Sequence, residues 1–208
     1  MADLLYGPDG PSEHDLKLVG DVTGKRVLDL GCGDGNAAVA LARDGAVVIA
    51  VDASPNRLAR ARRLAEDHEV RVEFREADLA ELAFMRADSV DVVFSALAVD
   101  AVDDWARVFR QVQRVLKPNA PFVFSYEHPM AVCIDRAGMV SRSYFDPGPI
   151  DVARGGEPVR IHVRDVGDVF TELGRAGFRV DTIVEPRPST PGARVPETIV
   201  RRARKEGS

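Results

Sequence analysis

Three glycines at alternate positions, followed by an acid at the end of the next apolar run, are the residues best suited to binding a ligand. Gly31, Gly33 and Gly35 come directly after the largely apolar segment 27–30. Because glycine has no Cβ, the chain can turn sharply there and a ligand can approach the backbone. Asp52 ends the next apolar run 21 residues after Gly31, a spacing at which a carboxylate accepts hydrogen bonds from ribose hydroxyls. The pattern predicts a nucleoside cofactor.

The spacing of the glycines distinguishes between cofactors. A dinucleotide fingerprint reads G-x-G-x-x-G/A, whereas this chain reads G-x-G-x-G and has Asn36 where the third Gly or Ala belongs. The run V-L-D-L-G-C-G-D-G instead resembles the first motif of class I S-adenosylmethionine-dependent methyltransferases. Further motifs follow in that family's order: V-D-A-S at Asp52, E-A-D-L at Asp78, D-V-V-F-S-A at 91–96 and then R-V-L-K-P-N-A. Together they span roughly residues 23–125 and resemble the bacterial small-molecule members.

The resemblance implies a set of cofactor contacts. Asp52 would hold both ribose hydroxyls, and Ala53 would flank the adenine. Asp78 would accept a hydrogen bond from the adenine amino group, with the backbone N–H of Leu79 beside it. Asp29 has two possible roles. It could contact the methionine amino group through water, or it could cap the glycine turn. The predicted cofactor residues are Asp29, Gly31, Cys32, Gly33, Gly35, Asp52, Ala53, Asp78, Leu79, Ser95 and Ala96.

Histidines and tyrosines are the candidates for the acceptor side of the reaction. His128 lies just past a predicted strand, and Pro129 restricts its backbone, so we expect it to act as a general base or, alternatively, only to shape a lid. His162 is a second candidate base, for which a solvent or packing role competes. We expect substrate contacts from Tyr6, Tyr126 and Tyr144. The four histidines are scattered along the chain, so no metal site is expected.

The elements that position these residues alternate between strand and helix. The predicted strands lie at about 25–30, 46–51, 70–75, 90–95, 121–127, 178–185 and 198–204. The predicted helices lie at 12–20, 36–44 and 55–67, with a fourth from Asp103 or Asp104 to Lys117 and a fifth from Asp165 to Gly174. Such alternation predicts an α/β fold, a Rossmann-like, doubly wound sheet of seven mostly parallel strands. The family resemblance implies that the last strand is antiparallel. Ligands bind such sheets beyond the carboxyl ends of the strands, which brings the predicted cofactor residues together.

The sequence predicts one methyltransferase domain over residues 1–208, with an N-terminal helical segment within 1–22. Residues 128–164 contain prolines and glycines and have no sustained period, so we expect a lid-like insertion that faces the substrate.

Composition limits the possible partners. Of 208 residues, 45% are hydrophobic and 29% charged, and the net charge is −5, which disfavours a broad nucleic-acid surface. No apolar run approaches the length of a membrane span, and no signal peptide is apparent. The two cysteines show no metal-binding spacing. We therefore expect a cytoplasmic monomer or homodimer that binds a small-molecule acceptor and neither nucleic acid nor membrane.

The predicted reaction is methyl transfer from S-adenosylmethionine to a small molecule by in-line displacement, with oxygen preferred over nitrogen or sulfur as the methylated atom. Methyltransferases that act on exocyclic amines of nucleic-acid bases or on glutamine carry the motif N/D-P-P-Y/F after the fourth strand. This chain has Ser95–Ala98 at that position instead, which disfavours those substrates. Two alternatives stay open. One is a nicotinamide-dependent oxidoreductase, and the other is an S-adenosylmethionine-binding protein without catalytic activity.

Overall fold

The protein is described from a computed structural model, which covers residues 4–7, 10–135, 137–154, 157–188 and 192–207. The strands are β1 Arg26–Leu30, β2 Val47–Asp52, β3 Val72–Glu76, β4 Val92–Ala96, β5 Pro121–Glu127, β6 Ile150–Arg154, β7 Glu157–Ile161, β8 Phe178–Val184 and β9 Thr198–Lys205. The helices are α1 Glu13–Leu16, α2 Asn36–Arg43, α3 Pro55–Asp67, α4 Trp105–Val115 and α5 Val166–Arg175.

Seven of these strands form one sheet in the order β3-β2-β1-β4-β5-β9-β8. The first five run parallel to one another. Strand β9 pairs antiparallel with both β5 and β8. The predicted α/β, Rossmann-like sheet with an antiparallel last strand is therefore confirmed. The strand order reverses between β1 and β4, the position at which ligands bind in open sheets of this kind.

Apolar layers cover both faces of the sheet, as expected for parallel strands flanked by helices. On one face, Phe109 of α4 packs against Phe122 and Phe124 of β5, with ring centroids 6.1 and 5.7 Å apart. On the other face, Leu41 of α2 and Leu58 of α3 are fully buried. The central strands are held from both sides, so their carboxyl ends form a fixed edge.

Side chains that cap the helices fix where those helices begin. Ser54 accepts a hydrogen bond from the backbone of Arg57, and Pro55 occupies the first position of α3. Of the two predicted caps for α4, Asp104 is the one that caps the helix. Asp165 caps α5 as predicted. These capped helices confirm the sequence-based boundaries to within a residue or two.

The N-terminal helix is much shorter than the predicted segment 12–20. Ser12 caps it as expected, but α1 ends after four residues, with Lys17 in the left-handed region at φ 51°. The Glu13 carboxylate accepts hydrogen bonds from the three backbone N–H groups at 18–20, at 2.8–3.1 Å. This side chain satisfies backbone donors that a longer helix would have satisfied with carbonyls.

The insertion 128–164 contains regular structure that the sequence pattern did not predict. Strands β6 and β7 form an antiparallel hairpin outside the main sheet, with Ile150 opposite Ile161. Strand β6 alternates between half-buried and exposed residues, as a strand with one covered face does. The run is short, and Pro158 interrupts it, which hid the strand period.

In the part of the chain that the structure covers, none of the helices combines the length and apolar character needed to cross a bilayer. Within the same residues, no three or more His, Cys, Asp or Glu side chains gather where they could hold a metal ion.

Candidate active site

A cavity of about 880 Å³ lies at the carboxyl ends of β1, β2 and β4. All but two of the predicted cofactor residues line it, namely Asp29, Gly31, Cys32, Gly33, Asp52, Ala53, Asp78, Leu79 and Ala96. The rule that ligands bind beyond the strand ends thus predicted the position of the cavity.

The glycine turn packs closely on one side and leaves space on the other. A Cβ on Gly31 would lie 2.2 Å from the Cβ of Ala98, and Gly31 has φ 80°, so no other residue fits there. Gly33 also has a positive φ of 54°, but nothing lies within 4 Å of the place where its Cβ would be. The backbone at Gly33 therefore borders open space in the cavity, where a ligand can approach it.

The carboxylate of Asp52 is oriented by two backbone groups. Its Oδ2 accepts a hydrogen bond from the N–H of Gly33 at 2.9 Å, and its Oδ1 accepts one from the N–H of Ser54 at 2.8 Å. The side chain is buried at the end of β2 yet lines the cavity. Each oxygen retains a lone pair, so the carboxylate can accept two further hydrogen bonds from a diol.

Asp29 is a buried acid with an unused acceptor at the cavity wall. It is 1% exposed, and its Oδ2 has no hydrogen-bond partner among the residues that the structure covers. Burial raises the pKa of Asp29 to about 7, and the charge of Asp52 adds to the rise. A buried acceptor of this kind is stabilised by a donor, and most by a cationic one.

The turn after β3 supplies the third acid of the cavity. Asp78 Oδ1 accepts a hydrogen bond from the N–H of Ala80 at 2.7 Å, which fixes the carboxylate. Leu79 between them is buried and forms part of the wall. Asp78 and Leu79 therefore present a polar and an apolar group side by side, as an adenine ring requires.

Two predicted cofactor residues lie behind the cavity wall and do not line it. The hydroxyl of Ser95 donates to the carbonyl of Leu30 at 2.7 Å, inside the sheet. Gly35 begins α2 at φ 90°, and a Cβ there would lie 2.8 Å from Ala61. Ser95 thus makes its hydrogen bond within the sheet and Gly35 packs against α3, while their predicted contacts with the cofactor stay predictions.

His128 does not have the geometry of a general base. Its Nδ1 accepts a hydrogen bond from the N–H of Met130 at 3.1 Å, which places the proton of the neutral ring on Nε2. That nitrogen lies 3.0 Å from Oε1 of Glu185. Both nitrogens are engaged, the ring is buried, and His128 does not line the cavity. The structure favours the alternative, in which His128 shapes the insertion.

His162 also lies away from the cavity wall. Its Nδ1 is 3.1 Å from Oδ1 of the exposed Asp103, and its backbone N–H donates to the carbonyl of Asp100 at 2.7 Å. These contacts fit the packing role that competes with the prediction of a second base.

The three tyrosines predicted to contact the substrate do not line the cavity. Tyr6 is buried against Phe94, and its hydroxyl donates to Glu13. The Tyr126 hydroxyl accepts from Arg201 Nε at 3.0 Å in the core. The Tyr144 hydroxyl accepts a hydrogen bond from the backbone of the α5 N-terminus at 3.3 Å. In the structure the three tyrosines thus pack and form hydrogen bonds within the fold, and their substrate contacts stay predictions.

Six residues that sequence reasoning did not assign to the site also line the cavity, and we call this set the acceptor end. It comprises Leu97, Ala98, Ala101, Val102, Arg154 and Val159. The first four follow β4, so the rule that ligands bind beyond the carboxyl ends of the strands could have predicted them. Arg154 and Val159 come from the hairpin, and nothing in their sequence context indicates the cavity.

Arg154 attaches the hairpin to the edge of the sheet. Its guanidinium pairs with both carboxylate oxygens of Asp100 and lies 3.1 Å from Oε2 of Glu127. The Arg154 side chain is 12% exposed and that of Asp100 is 2% exposed. Burial raises the pKa of Glu127, although Arg154 acts in the opposite direction. The contact is thus a buried charge cluster and not a surface ion pair, so it holds the hairpin firmly.

Comparison with known proteins identifies the class to which this fold and site belong. Residues 27–119 match the family described as "Methyltransferase domain". A solved S-adenosylmethionine dependent methyltransferase from Mesorhizobium loti is 32% identical, with a TM-score of 0.76 over 91% of this chain and 94% of that one. The chain therefore belongs to the S-adenosylmethionine-dependent methyltransferases.

Other similarities cover less of the relatives or are more distant. A ubiquinone biosynthesis O-methyltransferase from Hahella chejuensis is 40% identical over 102 residues, which are 49% of this chain and 43% of that protein. The chain spans about half the length of the curated relatives that it matches. The cyclase SpnF shares the fold at 18% identity, with a TM-score of 0.69 over 94% of this chain and 81% of that one.

The residues at the cavity fit the cofactor of this family. The unpaired Oδ2 of Asp29 suits the cationic amino group of its methionine portion, and Asp52 suits a ribose diol. The open space beside Gly33 leaves room for a ligand that a Cβ would displace. These features agree with S-adenosylmethionine, and the third glycine or alanine of a dinucleotide site is absent from the turn, where Asn36 stands.

Proposed function

We propose that this protein transfers the methyl group of S-adenosylmethionine to an oxygen of a small-molecule acceptor. The observation that carries the proposal is one continuous cavity with two different ends. Acids and glycine backbone line the cofactor end, and mostly apolar side chains line the acceptor end. Its volume of about 880 Å³ falls in the range of small-molecule sites.

The residues of the cofactor end hold and orient. Asp52 would bind the ribose hydroxyls, Asp78 the adenine amino group, and Asp29 the amino group of the methionine portion. When bound, S-adenosylmethionine would supply a methyl group on a positively charged sulfur. The acceptor oxygen would bond to the methyl carbon in line with the C–S bond as that bond breaks, the hydroxyl proton would pass to solvent, and S-adenosylhomocysteine would leave. The backbone hydrogen bonds that fix Asp52 would hold the ribose in one position, which the alignment of the reacting atoms requires.

The residues of the acceptor end exclude water and limit where an acceptor can lie. Ala101, Val102 and Val159 offer it no hydrogen bonds, so its position depends on shape. Since neither nitrogen of His128 is free, an acceptor whose hydroxyl loses its proton readily is favoured. A phenol, with a pKa of about 10, fits this requirement better than an alcohol. The O-methyltransferase names of the curated relatives support oxygen as the methylated atom.

The test is a titration followed by a turnover assay. Calorimetry would measure binding of S-adenosylhomocysteine, S-adenosylmethionine and NADH, and release of S-adenosylhomocysteine would then be followed with phenol, catechol and 2-naphthol. We expect binding of the first two ligands and turnover of at least one phenol. Binding of NADH alone would overturn the cofactor assignment. Binding of S-adenosylhomocysteine without turnover on any acceptor would favour a protein that binds the cofactor and lacks catalysis.

A further inference from the structure

Leu97, the first residue after β4, has an uncommon backbone conformation at the cavity wall. Its φ is 50°, in the left-handed region that residues with a Cβ rarely adopt. Residues held in such conformations persist only where their surroundings fix them, and they are often found at functional sites. Leu97 lines the acceptor end, so what fixes it bears on which acceptors fit.

Groups on three sides hold Leu97. Its N–H donates to the carbonyl and the hydroxyl of Ser125 at 3.1 and 3.2 Å. Its carbonyl accepts a hydrogen bond from Arg154 Nη1 at 2.6 Å. Its side chain faces Gly7, where an added Cβ would lie 3.1 Å from Leu97 Cδ1. Sheet, hairpin and N-terminal segment therefore meet at one strained residue.

Arg154 connects Leu97 to the charge cluster. The same guanidinium that donates to the Leu97 carbonyl also pairs with Asp100 and Glu127. Asp100 in turn accepts a hydrogen bond from the N–H of Glu127 at 3.0 Å. Loss of Arg154 would leave the buried carboxylate of Asp100 without its cation, which is costly. One side chain thus fixes both the hairpin and the turn after β4.

We propose that Arg154 is a positioning residue for acceptor specificity. It holds Leu97 and the hairpin at a fixed distance from each other. The side chains of Leu97 and Val159 then limit the size of the acceptor that fits between them. The proposal rests on the proposed function. The two terminal nitrogens of Arg154 donate to the Leu97 carbonyl and the two carboxylates, whereas its buried Nε has no partner among the residues that the structure covers. The other residues of the acceptor end are apolar, so a compact phenol, whose oxygen can accept one hydrogen bond, is the acceptor that suits this wall.

The hairpin offers a matched control for testing Arg154. Arg160 lies on β7 and pairs with Asp151 in solvent, at a side-chain exposure of 66%. For Arg154→Ala we expect the KM of the acceptor to rise about tenfold or more, with the dissociation constant of S-adenosylhomocysteine changed by less than about twofold. Arg154→Lys should recover part of the loss, because it restores the charge without the fork of the guanidinium. Arg160→Ala should behave as the parent protein. Equal kinetics for Arg154→Ala and Arg160→Ala would overturn the proposal.

Variants of the wall test the size of the acceptor directly. Leu97→Ala and Val159→Ala should raise the ratio of kcat/KM for 2-naphthol over phenol by about tenfold, because each removes methyl groups from the wall. An unchanged ratio in both variants would show that these side chains do not select by size.

Hydrogen exchange tests the positioning role even if no phenol in the panel is methylated. Arg154→Ala should speed amide exchange in residues 97–101 as well as in 150–161, whereas Arg160→Ala should leave residues 97–101 unchanged. Faster exchange confined to the hairpin would overturn the link between Arg154 and Leu97. Failure of the proposed function would show separately, as absence of S-adenosylhomocysteine binding to the parent protein.

Discussion

The two ends of the cavity are stabilised in different ways. At the cofactor end, Asp52 is held by backbone N–H groups of Gly33 and Ser54, in two turns that adjoin neighbouring strands. At the acceptor end, Arg154 reaches across from the insertion to Asp100 and Glu127, which are 54 and 27 residues away in the chain. The hydrogen bonds of Asp52 join residues of short sequence motifs. The contacts of Arg154 form only when segments that are distant in the chain pack together in the fold.

The difference indicates how such a fold can retain one cofactor while its acceptors vary. Changes at the cofactor end disturb the ends of β1 and β2, two strands that each have a neighbour on both sides in the sheet. Changes in the hairpin leave the seven strands in place, because β6 and β7 pair only with each other among the strands that the structure covers. We therefore expect substitutions at the cofactor end to abolish binding, and substitutions near the insertion to act on the acceptor or on stability.

The largest effect is expected from Asp52→Ala. Hydrogen bonds to charged groups contribute ~1.5–3 kcal/mol each, and two ribose hydroxyls would lose their partner, so affinity should fall by about 100-fold or more. Calorimetric titration with S-adenosylhomocysteine measures this loss. Asp52→Asn is the control, since it retains one acceptor and should bind with intermediate affinity. If Asp52→Ala bound as tightly as the parent protein, the cofactor end would be assigned to the wrong residues.

Asp29→Asn should have a smaller effect on affinity and a distinctive effect of pH. The raised pKa of Asp29, about 7 against an ordinary 3.8, means that the folded protein keeps this proton where the unfolded chain has lost it. The resulting stability is fully present below pH 3.8 and is lost as the pH rises through 7. In Asp29→Asn without ligand, the fall in stability over that window should shrink, while affinity for S-adenosylhomocysteine drops about tenfold.

Thermal unfolding between pH 4 and pH 8 measures the Asp29 effect. Asp44→Asn, a change at an exposed position after α2, serves as the control and should retain the slope of the parent protein. If Asp29→Asn kept that slope, Asp29 would not be the group that loses its proton with a raised pKa.

The smallest effect on binding and turnover is expected from His128→Ala. Removal of its two hydrogen bonds should lower the free energy of unfolding by about 1–3 kcal/mol, as the N–H of Met130 loses its acceptor. The affinity for S-adenosylhomocysteine and the pH profile of kcat should stay as in the parent protein. Denaturant unfolding and a pH–rate series measure the two quantities. Loss of an acidic limb from the pH profile would restore His128 as a catalytic base.

Much of the cofactor end could be predicted from the sequence, because the information is local. The glycine turn and Asp52 both follow apolar runs, and parallel strands bring their carboxyl ends to the same edge. Ser95 and Gly35 are the two predicted residues that do not line the cavity. The Ser95 hydroxyl forms its hydrogen bond within the sheet, and Gly35 packs against α3. A motif gives the position of a residue in the chain but not the neighbours that it contacts in the fold.

The acceptor end could not be predicted in the same way. His128 was chosen for its chemistry, but the atoms that engage its nitrogens belong to Met130 and Glu185, and the contact with Glu185 joins residues 57 apart in the chain. Arg154 has no local feature that distinguishes it from the other arginines. Its role depends on the hairpin reaching Asp100, which is a property of the folded chain.

The position of β9 in the sheet has a consequence for the order in which the molecule assembles during synthesis. Strand β9 lies between β5 and β8, and in the described sheet β8 pairs with β9 alone. When β8 leaves the ribosome, its place at the sheet therefore does not yet exist, and it must wait for residues 198–205. Until those residues arrive, β5 keeps an open edge, and Phe124 and Tyr126 lack the strand beside them. A nascent chain that pauses there would expose two unpaired strands to its neighbours on the same messenger RNA, which is the condition under which chains aggregate or recruit chaperones.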